Sequence, residues 1–250
     1  MLFPWSHAAR RRELLSSPFP AEWERTLTRA VFYSRLPNPQ QARVRNVVRV
    51  LIAEKSWEGV GGLALTDDIK VTIAGQAARL VLGFENDYFR TVESVLVYPQ
   101  GFLVKVQRRG PNGAMVEETI PYAGEAALSG PVVLSWDDVR HTGGGHNVVL
   151  HEFAHKLDMR DGTADGAPYL KDKAQIDDWA QVLSAEYQTL TERIEAGEPT
   201  LLDPYGATNA AEFFAVATEC FFELPGQMRQ HHPDLYRVLA GYYRQEPIGH

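Results

Sequence analysis

The stretch GGGHNVVLHEFAHKLDM at residues 143–159 contains the pattern H-E-x-x-H and decides how the rest of the chain is interpreted. At 100° per residue, its apolar side chains fall in one sector of a helix, and His151 and His155 share the neighbouring sector. Glu152 lies on the far flank of the histidine pair. A helix in this register buries one side in a core and presents two imidazoles and a carboxylate on another. The stretch therefore predicts a buried amphipathic helix that can hold a metal ion.

The histidine pair favours zinc as that ion. Imidazoles at positions i and i+4 of a helix can both direct Nε2 at one zinc ion, which leaves Glu152 to act on a metal-bound water. A catalytic zinc takes three protein ligands and keeps one position for water, so a third ligand must lie elsewhere in the chain. Two interpretations compete with this one. The first is a surface helix whose histidines are four residues apart by coincidence, and the second is a structural zinc site closed by four protein ligands.

The third ligand is expected in a later helix. Position 161, where a third histidine would complete another common zinc pattern, is Asp161. The stretch ATNAAEFFAVATECFFELP at 207–225 instead supplies glutamates on one helical face. Either Glu212 or Glu219 fits as the ligand, with the other orienting a histidine. The alternatives are that Glu212 pairs with Asn209 in a helix cap and that Glu219 is exposed to solvent.

Three neighbouring residues have two interpretations each. Asp158 lies three residues after the second histidine, so it either hydrogen-bonds an imidazole or caps the turn that follows the helix. His146 precedes His151 by five positions, which is poor geometry for binding the same metal, and it is expected to cap the helix or to line the cleft. Cys220, which is the only cysteine, is either a small buried hydrophobe or a reactive thiol, and its apolar surroundings favour the first.

Composition and charge exclude several classes of protein. The 250 residues are 44% hydrophobic and 23% charged, which is typical of a globular protein. The net charge of −7 argues against direct binding of nucleic acid. The N-terminus lacks the order of a signal peptide, and no apolar run approaches the roughly 20 residues that span a bilayer. A cytoplasmic protein without membrane contact is therefore expected.

The hydrophobic pattern predicts helices, then strands, then helices again. Helices are expected at 21–34, at 40–55, after a Thr66 cap, and at 146–158, 173–196, 209–223 and 232–244. Strands are expected at 94–99, 102–106, 115–120 and 131–136. This order favours an α+β fold with a short meander and offers little support for a doubly wound parallel sheet. One domain over 1–250 is predicted, with a mainly helical portion at 1–90 and the sheet and metal site at 91–250.

Several stretches together resemble the Mlc titration factor A family of zinc-dependent peptidases. The main ones are GHNVVLHEFAHKLDMRDG at 145–162 and DPYGATNAAEFFAVATECFFELP at 203–225. Shorter similar stretches are LALTDDIKVTIAGQAARLVLG, VLVYP, VVLSWDDV and HPDLYRVLAGYYRQEP. The resemblance covers most of the chain. It implies a zincin-like fold related to the metallopeptidase domain of anthrax lethal factor.

The resemblance also implies the role of particular residues. In that family the glutamate that opens EFFAV binds the metal, and this residue is Glu212 here. The metal set is then one zinc ion on His151, His155 and Glu212, with Glu152 as the catalytic base. Related sites place a tyrosine seven residues before the glutamate, which corresponds to Tyr205, and this residue would donate a hydrogen bond or a proton to the tetrahedral intermediate. The alternative for Tyr205 is a turn aromatic that packs on the surface.

Two functions follow from the resemblance. The first is hydrolysis of short peptides with aminopeptidase-type activity, so that a peptide is the expected substrate. The second is binding of a sugar-responsive transcriptional repressor of the Mlc type, from which the family takes its name. A repressor-sequestering protein with a zinc site but no catalysis is the alternative to an enzyme.

Overall fold

A computed structural model of the chain describes residues 7–85, 88–109, 115–122, 124–126 and 130–247. Within these ranges the helices are α1 His7–Ser16, α2 Ala21–Thr28, α3 Val31–Arg35, α4 Asn38–Glu54, α5 Asp67–Ala78, α6 Trp136–Arg140, α7 Val148–Asp158, α8 Lys173–Glu195, α9 Ala210–Glu223, α10 Pro225–His231 and α11 Pro233–Tyr243. The strands are β1 Ser56–Gly59, β2 Ser94–Tyr98, β3 Phe102–Arg109, β4 Met115–Tyr122, β5 Gly124–Ala126 and β6 Val132–Ser135. Short 3₁₀ turns span Arg79–Val81, Met159–Asp161 and Pro204–Thr208.

The described strands form a small sheet and a separate hairpin. The sheet has the order β1-β2-β6-β5, in which β1, β2 and β6 are parallel and β5 is antiparallel to β6. Strands β3 and β4 pair only with each other, as an antiparallel hairpin. The fold is therefore α+β, with helices before and after a small, mainly parallel sheet.

The predicted meander is wrong, although all four predicted strands are present. Strand β2 pairs with β6 and not with its sequence neighbour β3, in the register Val95↔Val132 and Val97↔Leu134. These four side chains are fully buried. Strands with a buried apolar face pair where they cover the core, and the long connection through the hairpin supplies the crossover that parallel pairing requires. Strand β1, with the short sequence SWEG, carries no apolar alternation and was not predicted.

The predicted helices are present except near the N-terminus, and the short helices α6 and α10 were not predicted. Helix α5 begins after Thr66, whose hydroxyl accepts a hydrogen bond from the amide of Ile69, as predicted. The single helix expected at 21–34 is wrong, because the chain breaks at an extended Ala30 and forms α2 and α3. The break returns Tyr33 to the core, where its hydroxyl donates to a glutamate of α2.

One hydrophobic core joins the N-terminal helices to the helices that carry the H-E-x-x-H and EFFAV stretches. The buried cluster runs from Leu27 in α2 to Tyr243 in α11, and it includes Cys220. Cys220 is 2% exposed, which confirms a buried side chain, and this burial raises the pKa of its thiol to about 12. The organisation as one domain over 1–250 stays a prediction. In the described part of the chain, no helix is both long and apolar enough to cross a membrane.

Candidate metal centre

A glycine turn and an asparagine cap begin the helix that carries both histidines. Gly143, Gly144 and Gly145 all have positive φ angles, which glycine adopts without a Cβ clash. Asn147 follows the turn, and its side chain accepts a hydrogen bond of 3.1 Å from the amide of Leu150. Every residue of α7 is buried, because the helix packs against β6, α5 and α9. The cap and the packing together hold the histidine side of α7 towards α9.

Helix α9 supplies the carboxylates that face this pair. The side chain of Asn209 caps α9 by accepting from the amide of Glu212 at 3.0 Å, as the sequence indicated. The carboxylate of Glu212 is nevertheless directed at the histidines, so the backbone cap and the side-chain contact coexist. Glu219, two turns later, is 2% exposed, and the solvent-exposed alternative for it is therefore wrong.

Three donor atoms converge between α7 and α9. The Nε2 atoms of His151 and His155 are 3.2 Å apart. One carboxylate oxygen of Glu212 lies 2.9 Å from Nε2 of His151 and 3.4 Å from Nε2 of His155. All three potential ligand atoms lie within 4.8 Å of one another. These are the three residues that the sequence analysis named, and they meet at one point.

Glu219 lies behind His151 and not at the point of convergence. Its Oε1 atom is 2.7 Å from Nδ1 of His151, and its Oε2 atom accepts from the backbone amide of Asn147. The Nδ1 atom of His151 therefore donates to Glu219, which leaves Nε2 as the nitrogen that a metal ion would bind. The geometry thus separates the two glutamates, with Glu212 facing the candidate metal and Glu219 orienting a histidine. The assignment of Glu212 as a ligand stays a prediction.

The donor set fits a divalent cation. The Nε2 atoms of His151 and His155 and the Glu212 oxygen lie so close together that they need a positive charge between them, either a proton or a metal ion. Two imidazole nitrogens and one carboxylate oxygen are a set that divalent metal ions such as zinc bind well. A candidate divalent-metal site is therefore present at these three residues.

The electrostatics of the site favour positive charge. Burial lowers the pKa of His151, but hydrogen bonds to Glu212 and Glu219 outweigh it and raise the pKa to about 10. Burial raises the pKa of Glu212, but hydrogen bonds from the two histidines outweigh it and lower the pKa to about 2. The carboxylates therefore attract either a proton or a metal ion to the imidazoles, and the two compete.

Glu152 and Tyr205 both lie near His151. Glu152 is 4% exposed on α7, and its charge raises the pKa of His151 without its being one of the converging donors. Tyr205 lies in the 3₁₀ turn before α9 and is 55% exposed, with its ring centroid 6.1 Å from that of His151. The tyrosine is thus a surface residue that also adjoins the site. The catalytic roles of both residues stay predictions.

His146 does not cap α7, because Asn147 does so. Its Nδ1 atom lies 3.3 Å from the Glu219 carboxylate, and its side chain is half exposed beside the site.

A buried network that the sequence did not predict begins at the neighbouring residue, Asn147. The side chain of Asn147 donates to Glu223 at 3.0 Å, and Glu223 in turn pairs with Arg79. An arginine inside the apolar stretch GQAARLVL was the available signal, because a buried arginine requires a partner.

Asp158 holds the loop after α7 and does not contact an imidazole. Its Oδ2 atom accepts a hydrogen bond of 2.9 Å from the amide of Gly166. The Nδ1 atom of His155 is buried without a hydrogen-bond partner among the described residues, so the imidazole-bonding alternative for Asp158 is wrong. Burial raises the pKa of Asp158 to about 7, and its Oδ1 atom has no partner in the described structure.

Replacing Asp158 with asparagine is expected to stabilise the protein more at pH 8 than at pH 5. The raised pKa means that the stability contributed by protonated Asp158 is fully present below about 3.9 and is lost as pH rises through about 7. Asparagine keeps an acceptor for the Gly166 amide and carries no charge. The expected gain at pH 8 is on the order of 1–3 kcal/mol, measured by urea unfolding at both pH values. The same change at the exposed Asp177 serves as the control. Equal destabilisation by Asp158→Asn at both pH values would contradict the raised pKa of Asp158.

Comparison with known proteins agrees with this site. The family described as glucose-regulated metallo-peptidase M90 matches residues 5–244. An uncharacterized protein of Synechocystis sp. is 37% identical over 246 residues, which are 96% of this chain and 89% of that protein. Mlc titration factor A of Serratia proteamaculans is 31% identical over 98% of this chain and 93% of its own length, and that of Yersinia pestis is 30% identical over 91% and 86%. These matches confirm the resemblance to Mlc titration factor A, and the chain belongs to the glucose-regulated metallo-peptidase M90 family.

Proposed function

We propose that the protein is a zinc-dependent metallopeptidase of the H-E-x-x-H…E type that acts as an aminopeptidase on short peptides. The convergence of His151, His155 and Glu212 beside the buried Glu152 is the observation that carries this proposal. Membership of a metallo-peptidase family supports it. A zincin-like fold formed by one domain over 1–250, and a cytoplasmic location, complete the proposal.

In this mechanism His151, His155 and Glu212 hold the metal ion, and Glu219 keeps the Nδ1 proton of His151 in place. A bound zinc ion would lower the pKa of a water molecule and polarise the substrate carbonyl. Glu152 accepts a proton from the attacking water and delivers it to the leaving amine. The Tyr205 hydroxyl donates a hydrogen bond to the oxygen that becomes negative in the tetrahedral intermediate.

The exposure of Tyr205 is consistent with that role. A group that contacts substrate must be reachable from solvent, and Tyr205 is exposed although its ring adjoins the buried His151. Glu152, in contrast, is buried on α7, where a carboxylate has a low-dielectric environment and acts strongly on nearby protons. The proposal thus assigns an exposed hydrogen-bond donor and a buried base to the same site.

A second function is binding of a transcriptional repressor of the Mlc type. The names of two relatives, Mlc titration factor A, favour it. The net charge of −7 suggests that any effect on transcription runs through contact with the repressor protein and not with DNA. Hydrolysis and repressor binding can coexist in one protein, and a repressor-sequestering protein with a zinc site is the non-catalytic alternative to the enzyme.

Removal and replacement of the metal ion tests the enzymatic proposal. The purified protein is expected to contain about one zinc ion per chain and to cleave short peptides with a free amino terminus. Dialysis against a chelator should abolish cleavage, because the cation is the group that polarises the carbonyl of the substrate. One equivalent of zinc should restore it. Peptide cleavage that survives complete metal removal, measured by mass spectrometry alongside metal content, would contradict the proposal.

A further inference from the structure

A cavity of about 500 Å³ lies where α3, the end of α5 and the end of α9 meet. Its volume is within the range of about 300–1,000 Å³ that is typical of ligand sites. Thr142 and Asn147, on either side of the glycine turn before α7, also line it. None of the three candidate metal ligands belongs to its lining, so the cavity is separate from the metal centre.

The walls of this cavity are held together by hydrogen bonds and ring contacts. Arg79, in the 3₁₀ turn after α5, donates to the carbonyl of Phe222 at 2.7 Å and pairs with Glu223. The Cζ atom of its guanidinium lies 4.8 Å from the ring centroid of Phe32 and 5.5 Å from that of Phe222. The side chain of Gln245, after α11, donates to the carbonyl of Arg79 at 2.8 Å. The cavity is therefore formed before any ligand enters it.

Gln76 contributes an unsatisfied acceptor to the lining. This residue of α5 lines the cavity and is 8% exposed, in a stretch of the helix in which every residue from 73 to 78 is buried. Its Oε1 atom is buried and has no hydrogen-bond partner among the described residues. A buried acceptor without a partner lowers the stability of the fold. A ligand that donates a hydrogen bond in this cavity would satisfy that oxygen.

The charged groups of the lining favour an anion, although the protein as a whole has a net charge of −7. Three arginines, Arg29, Arg35 and Arg79, line the cavity together with one carboxylate, that of Glu223. Arg79 and Glu223 pair with each other, so their charges cancel. Arg29 pairs with Asp68 at the surface, where an ion pair contributes little. Arg35 is exposed and makes no ion pair with the described residues, so its guanidinium is available to a carboxylate.

Apolar side chains form much of the remaining lining, including Val31, Phe32, Leu36, Leu82, Phe222 and Pro225. Val31 is 64% exposed and is one of the four large apolar side chains that are exposed in the described part of the chain. An exposed apolar group at a concave site is typical of a binding surface. The lining thus combines exposed guanidinium groups, apolar surface and one open acceptor.

We propose that this cavity is a ligand site that binds a small organic acid with an apolar body and a hydrogen-bond donor. The exposed Arg29 and Arg35 bind the carboxylate, the apolar lining packs against the body, and Oε1 of Gln76 accepts from the donor. The single guanidinium without an ion pair matches a ligand with one negative charge. The proposal does not depend on the peptidase function.

Three related compounds test the proposal by calorimetry. The first, para-hydroxyphenylacetate, has a carboxylate, a ring and a hydroxyl donor; phenylacetate lacks the donor, and para-hydroxyphenylacetamide lacks the charge. Phenylacetate should bind about 3–10-fold more weakly than the hydroxylated acid, and the amide about 10-fold or more, because hydrogen bonds to charged groups contribute more than neutral ones. Equal affinities for all three compounds, or no binding of the hydroxylated acid at about 10 mM, would overturn the proposal.

Two variants and a control locate the binding. Arg35→Gln removes an exposed guanidinium and should weaken binding of para-hydroxyphenylacetate about 10-fold. Gln76→Leu removes the open acceptor, so it should make the hydroxylated acid and phenylacetate bind equally, without lowering the midpoint of thermal unfolding. Arg25→Gln removes the same charge from an exposed position outside the lining and should leave the affinity unchanged. Unchanged affinity in Arg35→Gln, or an equal loss in Arg25→Gln, would overturn the proposal.

Carboxylates also bind zinc, so the titration is made on the zinc-loaded and on the metal-free protein. The affinity for para-hydroxyphenylacetate should be the same in both, because none of the candidate metal ligands lines the cavity. Binding that requires the metal ion would place the acid at the metal centre and overturn the proposal. Selective binding by a protein that cleaves no peptide would support the ligand site and contradict only the peptidase function.

Discussion

Replacing Glu152 with glutamine is expected to reduce peptide hydrolysis about 10³-fold or more while zinc stays bound. Glu152 is buried beside His151, but it is not one of the three converging donors. Glutamine has the same shape and cannot accept the proton of the attacking water, so the general-base contribution of about 10²–10⁴ is lost. The measurement is kcat on a tripeptide, with metal content determined on the same sample.

The same variant distinguishes catalysis from repressor binding. Glu195→Gln, at the exposed end of α8, is a matched control that should keep full activity and one zinc ion. Binding of an Mlc-type repressor, measured by calorimetry, should be equal for Glu152→Gln and the wild type, because a buried isosteric change does not alter the surface. Full peptidase activity in Glu152→Gln would refute the proposed mechanism. Loss of repressor binding together with activity would argue that the two functions share the cleft.

Replacing Glu212 with alanine is expected to abolish stoichiometric zinc binding, and replacing Glu219 with glutamine is expected to weaken it less. Glu212 supplies one of the three converging candidate ligand atoms, whereas Glu219 would affect the metal only indirectly, through Nδ1 of His151. Mutation of a residue that orients a metal ligand typically lowers the metal affinity about 10–100-fold. Mutation of a ligand itself should lower the affinity by more than that. Competition with a zinc-binding dye measures both affinities, and thermal unfolding with and without zinc should show less stabilisation of Glu212→Ala.

Glutamine is the appropriate change at position 219 because an alanine there would disturb more than the metal. The Glu219 carboxylate also accepts from the buried amide of Asn147, and leaving that donor unpaired would cost about 1–3 kcal/mol. Glutamine keeps one acceptor for it. If Glu219→Gln lost the metal and Glu212→Ala kept it, the ligand assignment would be wrong. Equal and complete loss in both variants would point to collapse of α9 on α7, which circular dichroism would detect.

Local patterns predicted the helices of the site well. The four-residue spacing of His151 and His155 puts both imidazoles on one face of any α-helix, whatever surrounds it. The asparagine caps at positions 147 and 209 stabilise helix starts through contacts within three residues. The helix predicted at 21–34 was wrong because the backbone is extended at Ala30, which separates α2 from α3, and Tyr33 of α3 packs in the core.

Contacts between distant segments could not be read from the same patterns. Pairing of β2 with β6 depends on which strands cover the shared core, and the hairpin between them has an equally plausible strand pattern. The apolar residues around Arg79 predicted a buried helix but not its ion pair with Glu223, which is 144 residues away in the chain. The cavity that Arg79 lines likewise requires α3, the end of α5 and the end of α9 to meet.

By itself, the sequence determined that two imidazoles share a helical face and that a later helix carries glutamates on one side. The resemblance to known peptidases singled out Glu212, but helical periodicity alone left Glu212 and Glu219 equivalent. Only the tertiary structure separated them, by directing Glu212 at both histidines and placing Glu219 behind one of them. The physical reason is that periodicity sets which side chains share a face, whereas the rotation and offset of α9 against α7 follow from the packing of the whole core.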